Sequence, residues 1–469
     1  MAYMYSHMGT QSVMFITNRL RRRFVLIVCV ALPTIWILHV FYTQGSDHLL
    51  PVPVHQRLQL SLNLPRDVKT RDVIVKHYIH NLQTQLENRA QQTQVENDSI
   101  YTQRKQYMNM YCQRQEDTKR MPPGEIRDLH WFLDKPRIMY CPVAKSGSTF
   151  WRRAFEVIRR KDPKIVSPFQ LSYMDFKLSK AKIPLNMTET AHAEDMSKLL
   201  QTTLKFLFAR DPYSRVFSTF IDKILSPNTY MWGLGKNAIE MFRSSNTDRT
   251  NACGSDVSFD EYVKYINTRK FKTIDFHLRP VAYRCDACVA DYDVIGKLET
   301  FEDDIRYILK KVGSYDSEII FKNMNIEYKV DYILDAVVRA FDFRKGWTQC
   351  ISLHAGYQRL WRQLQIGGMI EKTDPYPLTT DQSSNITVTE YLNMALEAFK
   401  RSGPSAKGNK KEAFLQAYSM VSLKEKENLR KNYLVDFEMF DYNQRPRKLF
   451  NINREPWTDF DYFDVMRLR

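Results

Sequence analysis

The spacing of hydrophobic and polar positions divides this chain into segments with different expectations. Phe24–Phe41 is an unbroken run of eighteen residues with no Asp, Glu, Lys or Arg. Such a run just crosses a bilayer core of roughly 30 Å as a helix. Arg19, Arg21, Arg22 and Arg23 stand immediately before it. The positive-inside rule keeps these arginines in the cytosol and sends everything after about Tyr42 to the lumen. The expected organisation is a cytosolic tail (1–23), a transmembrane signal-anchor (24–42), a stem (43–125) and a lumenal domain (126–469). A cleaved signal peptide is the alternative, disfavoured by the length of the run and the lack of a small-residue cleavage site. Along the stem, Val75, Ile79, Leu82 and Leu86 follow 4-3-4 spacing. That suits a short helix or a brief coiled coil, and with it a homodimer through the stem. A packed helical N-terminal subdomain is the other reading of this region.

In the lumenal part the pattern changes to short apolar runs followed by helical periodicity. Arg137–Ala144 reads as a buried strand, Lys145-Ser-Gly-Ser-Thr149 as a loop, and Phe150–Arg160 as a helix. The order repeats downstream: Leu204–Ala209 is a strand, and Asp211-Pro212 caps and starts a helix running to about Ile224. Strand–loop–helix units in series predict an α/β domain with a parallel sheet flanked by helices, arranged like a P-loop NTPase. The C-terminal third is expected to be mostly helical. Arg401–Lys411 (RSGPSAKGNKK) reads as a basic, flexible insertion.

Composition narrows the partners. With 469 residues, 43% of them hydrophobic, the chain can bury a large core, and 26% charged with 13% aromatic residues excludes wholesale disorder. Lys and Arg exceed Asp and Glu by sixteen, which points to an anionic partner. The lumenal topology disfavours nucleic acid as that partner. Three sequons, at Asn97, Asn186 and Asn385, fit lumenal glycosylation. Cys29 lies in the apolar run. The remaining six, Cys112, Cys141, Cys253, Cys285, Cys288 and Cys350, are an even set suited to disulfides in an oxidising compartment. Six cysteines allow fifteen pairings, and spacing chooses none. Cys285-x-x-Cys288 lacks a second ligand pair at zinc spacing, so no metal is expected.

The chemistry centres on the two strand-end loops, where ligands of parallel sheets sit. In the first, Gly147 lets the backbone curl around an anion. Ser148 and Thr149 add hydroxyls at a helix start, and Lys145 supplies a point charge. The loop has no G-x-x-x-x-G-K-[ST], so magnesium-dependent ATP hydrolysis is not expected. In the second, Arg210 offers bidentate phosphate recognition, with Ser218 two helical turns on.

Together these loops resemble the 5′-phosphosulfate and 3′-phosphate loops of Golgi sulfotransferases. His277-Leu-Arg-Pro280, Cys285-Asp-Ala-Cys288 and Tyr292–Thr300 resemble a block of the carbohydrate sulfotransferase family that includes the HNK-1 and chondroitin/dermatan 4-O-sulfotransferases. Tyr433–Tyr442 resembles that family's closing motif. The resemblance runs from about residue 137 to 442 in the family's order. It implies the sulfotransferase fold, 3′-phosphoadenylyl sulfate as co-substrate and a glycan hydroxyl as acceptor. By the same resemblance Lys145 contacts the oxygen that leaves with phosphate, Ser146–Thr149 cradle the 5′-phosphate, and Arg210 and Ser218 hold the 3′-phosphate. His277 is the candidate general base, with Glu299 and Asp304 behind it. Basic segments near 236–249 and 401–411 are candidate acceptor contacts. The expected place is the Golgi membrane, single-pass type II. Two other classes stay open: a lumenal nucleotide-sugar glycosyltransferase using Asp291-Tyr-Asp293 for a metal, and a catalytically inactive glycan-binding relative.

Overall fold

The computed structural model describes residues 98–114, 130–160, 165, 167–171, 200–243, 253–271, 274–313, 324–451 and 458–468. The anchor run at 24–42, the stem stripe at 75–86 and the sequons Asn97 and Asn186 lie outside the described residues. Among those described, no helix is long and apolar enough to cross a membrane.

Four strands form one sheet in the order β1 (Trp131–Leu133), β2 (Ile138–Cys141), β3 (Leu204–Ala209) and β4 (Val294–Lys297). β2–β3 and β3–β4 are parallel. β1 is an antiparallel edge strand, a departure from the all-parallel sheet expected. It arises because residues 134–137 turn the chain straight back, and a crossover helix is needed only between parallel strands. β2 is buried along its whole length and β3 at all but its first residue. Strands covered on both faces carry near-continuous apolar runs, which is why Ile138–Cys141 and Leu204–Ala209, broken only by Lys205, were readable as strands.

The helix Ser148–Arg160 follows β2 and buries Phe150, Trp151, Ala154 and Phe155. Their 3–4 spacing points one stripe at the sheet, where the Trp151 ring lies 4.5 Å from that of Phe206. After β3, Asp211 accepts the Ser214 N–H at 2.7 Å and Pro212 opens the helix Pro212–Phe220. That helix ends in one widened π turn, Ile221–Leu225, so the α-helix stops short of the expected Ile224.

All six described cysteines are paired: Cys112 with Cys288, Cys141 with Cys285 and Cys253 with Cys350. The two cysteines of the Cys285-x-x-Cys288 pair therefore hold different partners. One ties the helix 98–114 to the domain, and the other ties the end of β2. The helix 98–114 falls within the segment read as stem, and it packs on the domain through Tyr101 and Arg104, both bonded to Asp304 at 2.8 Å.

The C-terminal third is helical as expected, and it includes the helices Met324–Asp342, Val388–Ser402 and Asn409–Ser419. The basic segment 401–411 is ordered rather than a flexible insertion. It finishes one helix, passes a 3₁₀ turn at Ser405–Gly408 and starts the next. The buried Asn409 amide pins it, donating to the Gln365 and Ile370 carbonyls at 3.0 Å each.

Candidate active site

The turn between β2 and its helix is tight. Lys145 and Gly147 both have positive φ, 66° and 85°. Glycine accepts this freely, whereas for lysine it costs about 1–2 kcal/mol, a strain that surrounding contacts must hold. Gly147 has no spare room, since a Cβ there would lie 2.3 Å from the Phe301 ring. Ser146 is fully buried, its N–H donates to the Val143 carbonyl at 3.3 Å, and its hydroxyl has no hydrogen-bond partner. Ser148 is half-buried and Thr149 exposed, both in the first turn of the helix, where unpaired N–H groups collect. A close backbone curl, an orphaned buried hydroxyl and a helix start are what a phosphate requires.

The Lys145 ammonium pairs with Asp222 at 2.9 Å. Asp222 also meets Arg339 at 3.3 Å and Lys223 at 3.4 Å. Burial works against its ionisation, but the Lys145, Arg339 and Lys223 cations outweigh burial and hold the carboxyl well below the usual range. Burial pulls Lys145 below the ordinary lysine range, helped by Lys223 and Arg339 and opposed by Asp222. One carboxylate thus gathers three cations, and the cluster keeps an excess of positive charge. The π turn brings this about by placing Asp222 and Lys223 directly beyond the second loop's helix. Asp222 carried no motif, and the single extra residue of a π turn has no sequence signal.

Arg210 closes the gap between the two loops. It is buried, and its Nη1 donates to the Lys145 carbonyl oxygen at 2.8 Å. Ser218 lies on the same helix as Ser214, one turn apart, and these two share the half-buried stripe of an otherwise buried helix. Glu299 steadies this loop by accepting the Asp211 N–H at 3.0 Å and the Tyr442 hydroxyl at 2.9 Å.

A further cation comes from the C-terminal helices. Phe414 packs its ring 5.5 Å from Phe217, and the Tyr418 hydroxyl donates to the Tyr213 carbonyl at 2.9 Å. These contacts lay the helix Asn409–Ser419 against Pro212–Phe220 and bring Lys410, one turn before Phe414, towards Arg210. Withdrawal from water and the neighbouring Arg210 and Lys145 charges draw Lys410 down to about 8. In sequence Lys410 was one lysine in a basic run, with nothing to distinguish it from Lys407 or Lys411. Tyr328, on the helix Met324–Asp342, stands near the same arginine: partial withdrawal of its hydroxyl from water raises the phenol and the Arg210 charge opposes the rise.

His277 is buried and fixed on several sides. Its Nδ1 and backbone N–H meet the Asp275 carboxylate at 2.6 and 2.8 Å. Arg215, from the second loop's helix, donates to the His277 carbonyl at 3.1 Å and to that of Arg279. The Tyr433 hydroxyl donates to the Leu278 carbonyl, and Asp436 accepts the Val281 and Ala282 N–H groups at 2.7 and 2.9 Å. The Tyr433–Tyr442 segment therefore positions the histidine block. Burial lowers His277, Lys223 and Lys145 lower it further, and Asp275 opposes them. Its neutral form prevails at pH 7, with Nδ1 engaged by Asp275.

Residues 129–332 match the sulfotransferase family model. That span holds Lys145, Arg210, Ser218 and His277. The chain is 30% identical to human carbohydrate sulfotransferase 9 over 44% of its own length and 46% of that protein. It is 30% identical to zebrafish (Danio rerio) carbohydrate sulfotransferase 11 over 42% and 56%, and 26% identical to rat (Rattus norvegicus) carbohydrate sulfotransferase 11 over 62% and 79%. Within this span the chain is similar to carbohydrate sulfotransferases. It spans about half the length of the curated relatives it matches first. No solved structure matches it.

Other candidate residues are engaged elsewhere. The Asp304 carboxylate accepts from Tyr101, Arg104, the Lys297 N–H and Thr300, all between 2.6 and 2.9 Å. Asp291 and Asp293 precede β4 and so sit at the opposite end of the sheet from the two loops. There they meet Lys105 at 3.2 and 3.8 Å, and Asp293 accepts the Lys205 N–H at 2.8 Å. Of the basic segments, Lys236 is exposed, while Arg243 is held by Glu261 and Asp256, each at 2.8 Å. Asn385 is exposed at the end of a short helix.

Proposed function

We propose that this chain transfers a sulfuryl group from 3′-phosphoadenylyl sulfate to a hydroxyl of a glycan. The acceptor is a chondroitin- or dermatan-like GalNAc or a terminal sugar of a glycoprotein or glycolipid. The observation that carries the reading is the junction of the two loops, Arg210 to the Lys145 carbonyl at 2.8 Å. That junction sets a lysine and an arginine side by side, as a donor with separate 5′ and 3′ phosphates requires.

In this reading the turn Ser146–Thr149 receives the 5′-phosphate, and the buried Ser146 hydroxyl gains a partner. Arg210 and Ser218 hold the 3′-phosphate, with Lys410 as a second cation. The sugar oxygen attacks sulfur in line, and an O–S bond forms as the bond from sulfur to the bridging oxygen breaks. The acceptor proton passes to His277 Nε2, and the electron pair leaves on adenosine 3′,5′-bisphosphate. Charge grows on the leaving oxygen, where the Lys145 ammonium stands. The rest of the catalysis is positioning.

The run at 24–42, its preceding arginines and the three disulfides support a single-pass type II protein of the Golgi membrane, with this domain lumenal. The test incubates the full-length protein with sulfur-labelled donor and a panel of desulfated chondroitin, desulfated dermatan, a glucuronyl-terminated glycan and GalNAc-terminated N-glycans. Label on an acceptor, lost in Lys145→Ala and in Arg210→Ala, is the expected result. A folded protein that does not bind adenosine 3′,5′-bisphosphate would overturn the proposal.

A further inference from the structure

Two large aromatic rings stand exposed beside the buried histidine. Tyr230 is 55% exposed and Phe276 42%. The Tyr230 ring lies 5.3 Å from the His277 ring, edge to face, and the Phe276 ring lies 4.1 Å from it. Single exposed aromatics are ordinary on protein surfaces, but two flanking one buried titratable group are not explained by packing. The rings are also held in place. Asn228 caps the turn Thr229–Met231 that carries Tyr230, accepting the Tyr230 N–H at 3.1 Å. Asp275 next to Phe276 is fixed by both His277 contacts.

Charge completes the arrangement. The Lys223 ammonium lies 5.2 Å from the centre of the Tyr230 ring and 3.4 Å from Asp222, which in turn pairs with Lys145 at 2.9 Å. The path from leaving-group lysine to aromatic ring is therefore contiguous: Lys145, Asp222, Lys223, Tyr230, His277. An aromatic face is electron-rich and attracts the polarised C–H groups on the apolar face of a pyranose. The Lys223 cation lies over one face of the ring, and it favours a ligand with a negative substituent nearby.

We infer that Tyr230 and Phe276 form the acceptor subsite, stacking a pyranose so that its hydroxyl meets His277, with Lys223 facing a carboxylate or sulfate on the neighbouring sugar. This rests on the sulfuryl-transfer reading and adds to it the class of acceptor, an anionic glycan. Neither residue belongs to the donor loops, so donor and acceptor binding are separable.

The test measures two quantities on the full-length protein: affinity for adenosine 3′,5′-bisphosphate, and KM and kcat with desulfated chondroitin oligosaccharides as acceptor. Tyr230→Ala and Phe276→Ala are each expected to raise the acceptor KM by roughly threefold to tenfold, the size of an aromatic contact, with bisphosphate affinity within twofold of wild type. Tyr230→Phe keeps the ring and is expected to keep the acceptor KM. Lys223→Gln is expected to weaken chondroitin more than a neutral GalNAc-terminated glycan. An unchanged acceptor KM in both alanine variants, with bisphosphate affinity intact, overturns the subsite and leaves sulfuryl transfer standing. Loss of bisphosphate affinity in both variants also overturns it, because these residues would then serve the donor. A wild-type protein that binds no bisphosphate removes the transfer reading itself and the subsite with it.

Discussion

The guanidinium of Arg210 donates to the carbonyl oxygen of Lys145 at 2.8 Å, across 65 residues of chain. Lys145 is a non-glycine residue with φ of 66°, and this bond is one of the contacts holding it there. The same lysine is gripped at its other end by Asp222 at 2.9 Å. Backbone and side chain of one residue are thus set by two partners from the second loop and its helix.

Asp222→Asn removes the charge that keeps the Lys145 ammonium in place and opposes its fall in pKa. The expected outcome is a loss of kcat of about 10²-fold, typical of disturbing a preorganised charge, with the affinity for adenosine 3′,5′-bisphosphate changed far less. Steady-state kinetics beside calorimetric binding separates the two. Equal losses in both would make Asp222 a donor-binding residue.

Gly147→Ala combines a positive φ with a Cβ placed 2.3 Å from the Phe301 ring. The cost is expected to be about 2–4 kcal/mol of stability from backbone strain and overpacking. Thermal or denaturant unfolding measures it. Pairing the change with Phe301→Ala gives back space but not the backbone conformation, so the double variant should not recover the wild-type turn or its donor affinity.

His277 has its pKa lowered by burial, with Lys223 and Lys145 adding to the effect and Asp275 opposing it. Its basic form therefore persists below the ordinary histidine value of 6.5, and the acidic limb of the kcat profile should lie there. Asp275→Asn removes the opposing charge, so the limb should move further down in pH while kcat falls through lost ring orientation. His277→Ala should abolish transfer and leave bisphosphate binding. Normal turnover in that variant would remove His277 from the mechanism.

Lys410 titrates at about 8. Its charge is present below that pH and lost above it, so bisphosphate affinity should fall as pH rises through this value. Lys410→Arg should move the fall to higher pH, and Lys410→Ala should weaken binding at pH 7 and flatten the profile. Calorimetry across pH 6–9 checks this.

Residues 204–209 and 212–220 show why much of the fold was legible in sequence: an apolar run broken only by Lys205 and a capped Asp-Pro start are local signals. The turn Lys145–Thr149 was visible for the same reason, since Gly147 marks a backbone only glycine tolerates. Asp222, Asp275 and Lys410 were not. Asp222 acts through a π turn, and Asp275 acts by a contact two residues along a loop. Lys410 reaches Arg210 only because Phe414 and Tyr418 pack on a helix some two hundred residues earlier. The disulfide pairing likewise depends on contacts between distant segments, which spacing along one chain does not record.

The claim that two loops hold one donor is tested most directly by comparing the affinity of adenosine 3′,5′-bisphosphate with that of adenosine 5′-monophosphate, in wild type and in Arg210→Ala. Wild type should prefer the bisphosphate by about tenfold to a hundredfold, the worth of a charged hydrogen-bonded phosphate contact. Arg210→Ala should erase most of that preference while still binding the monophosphate. Equal affinity for the two nucleotides in wild type would contradict the account.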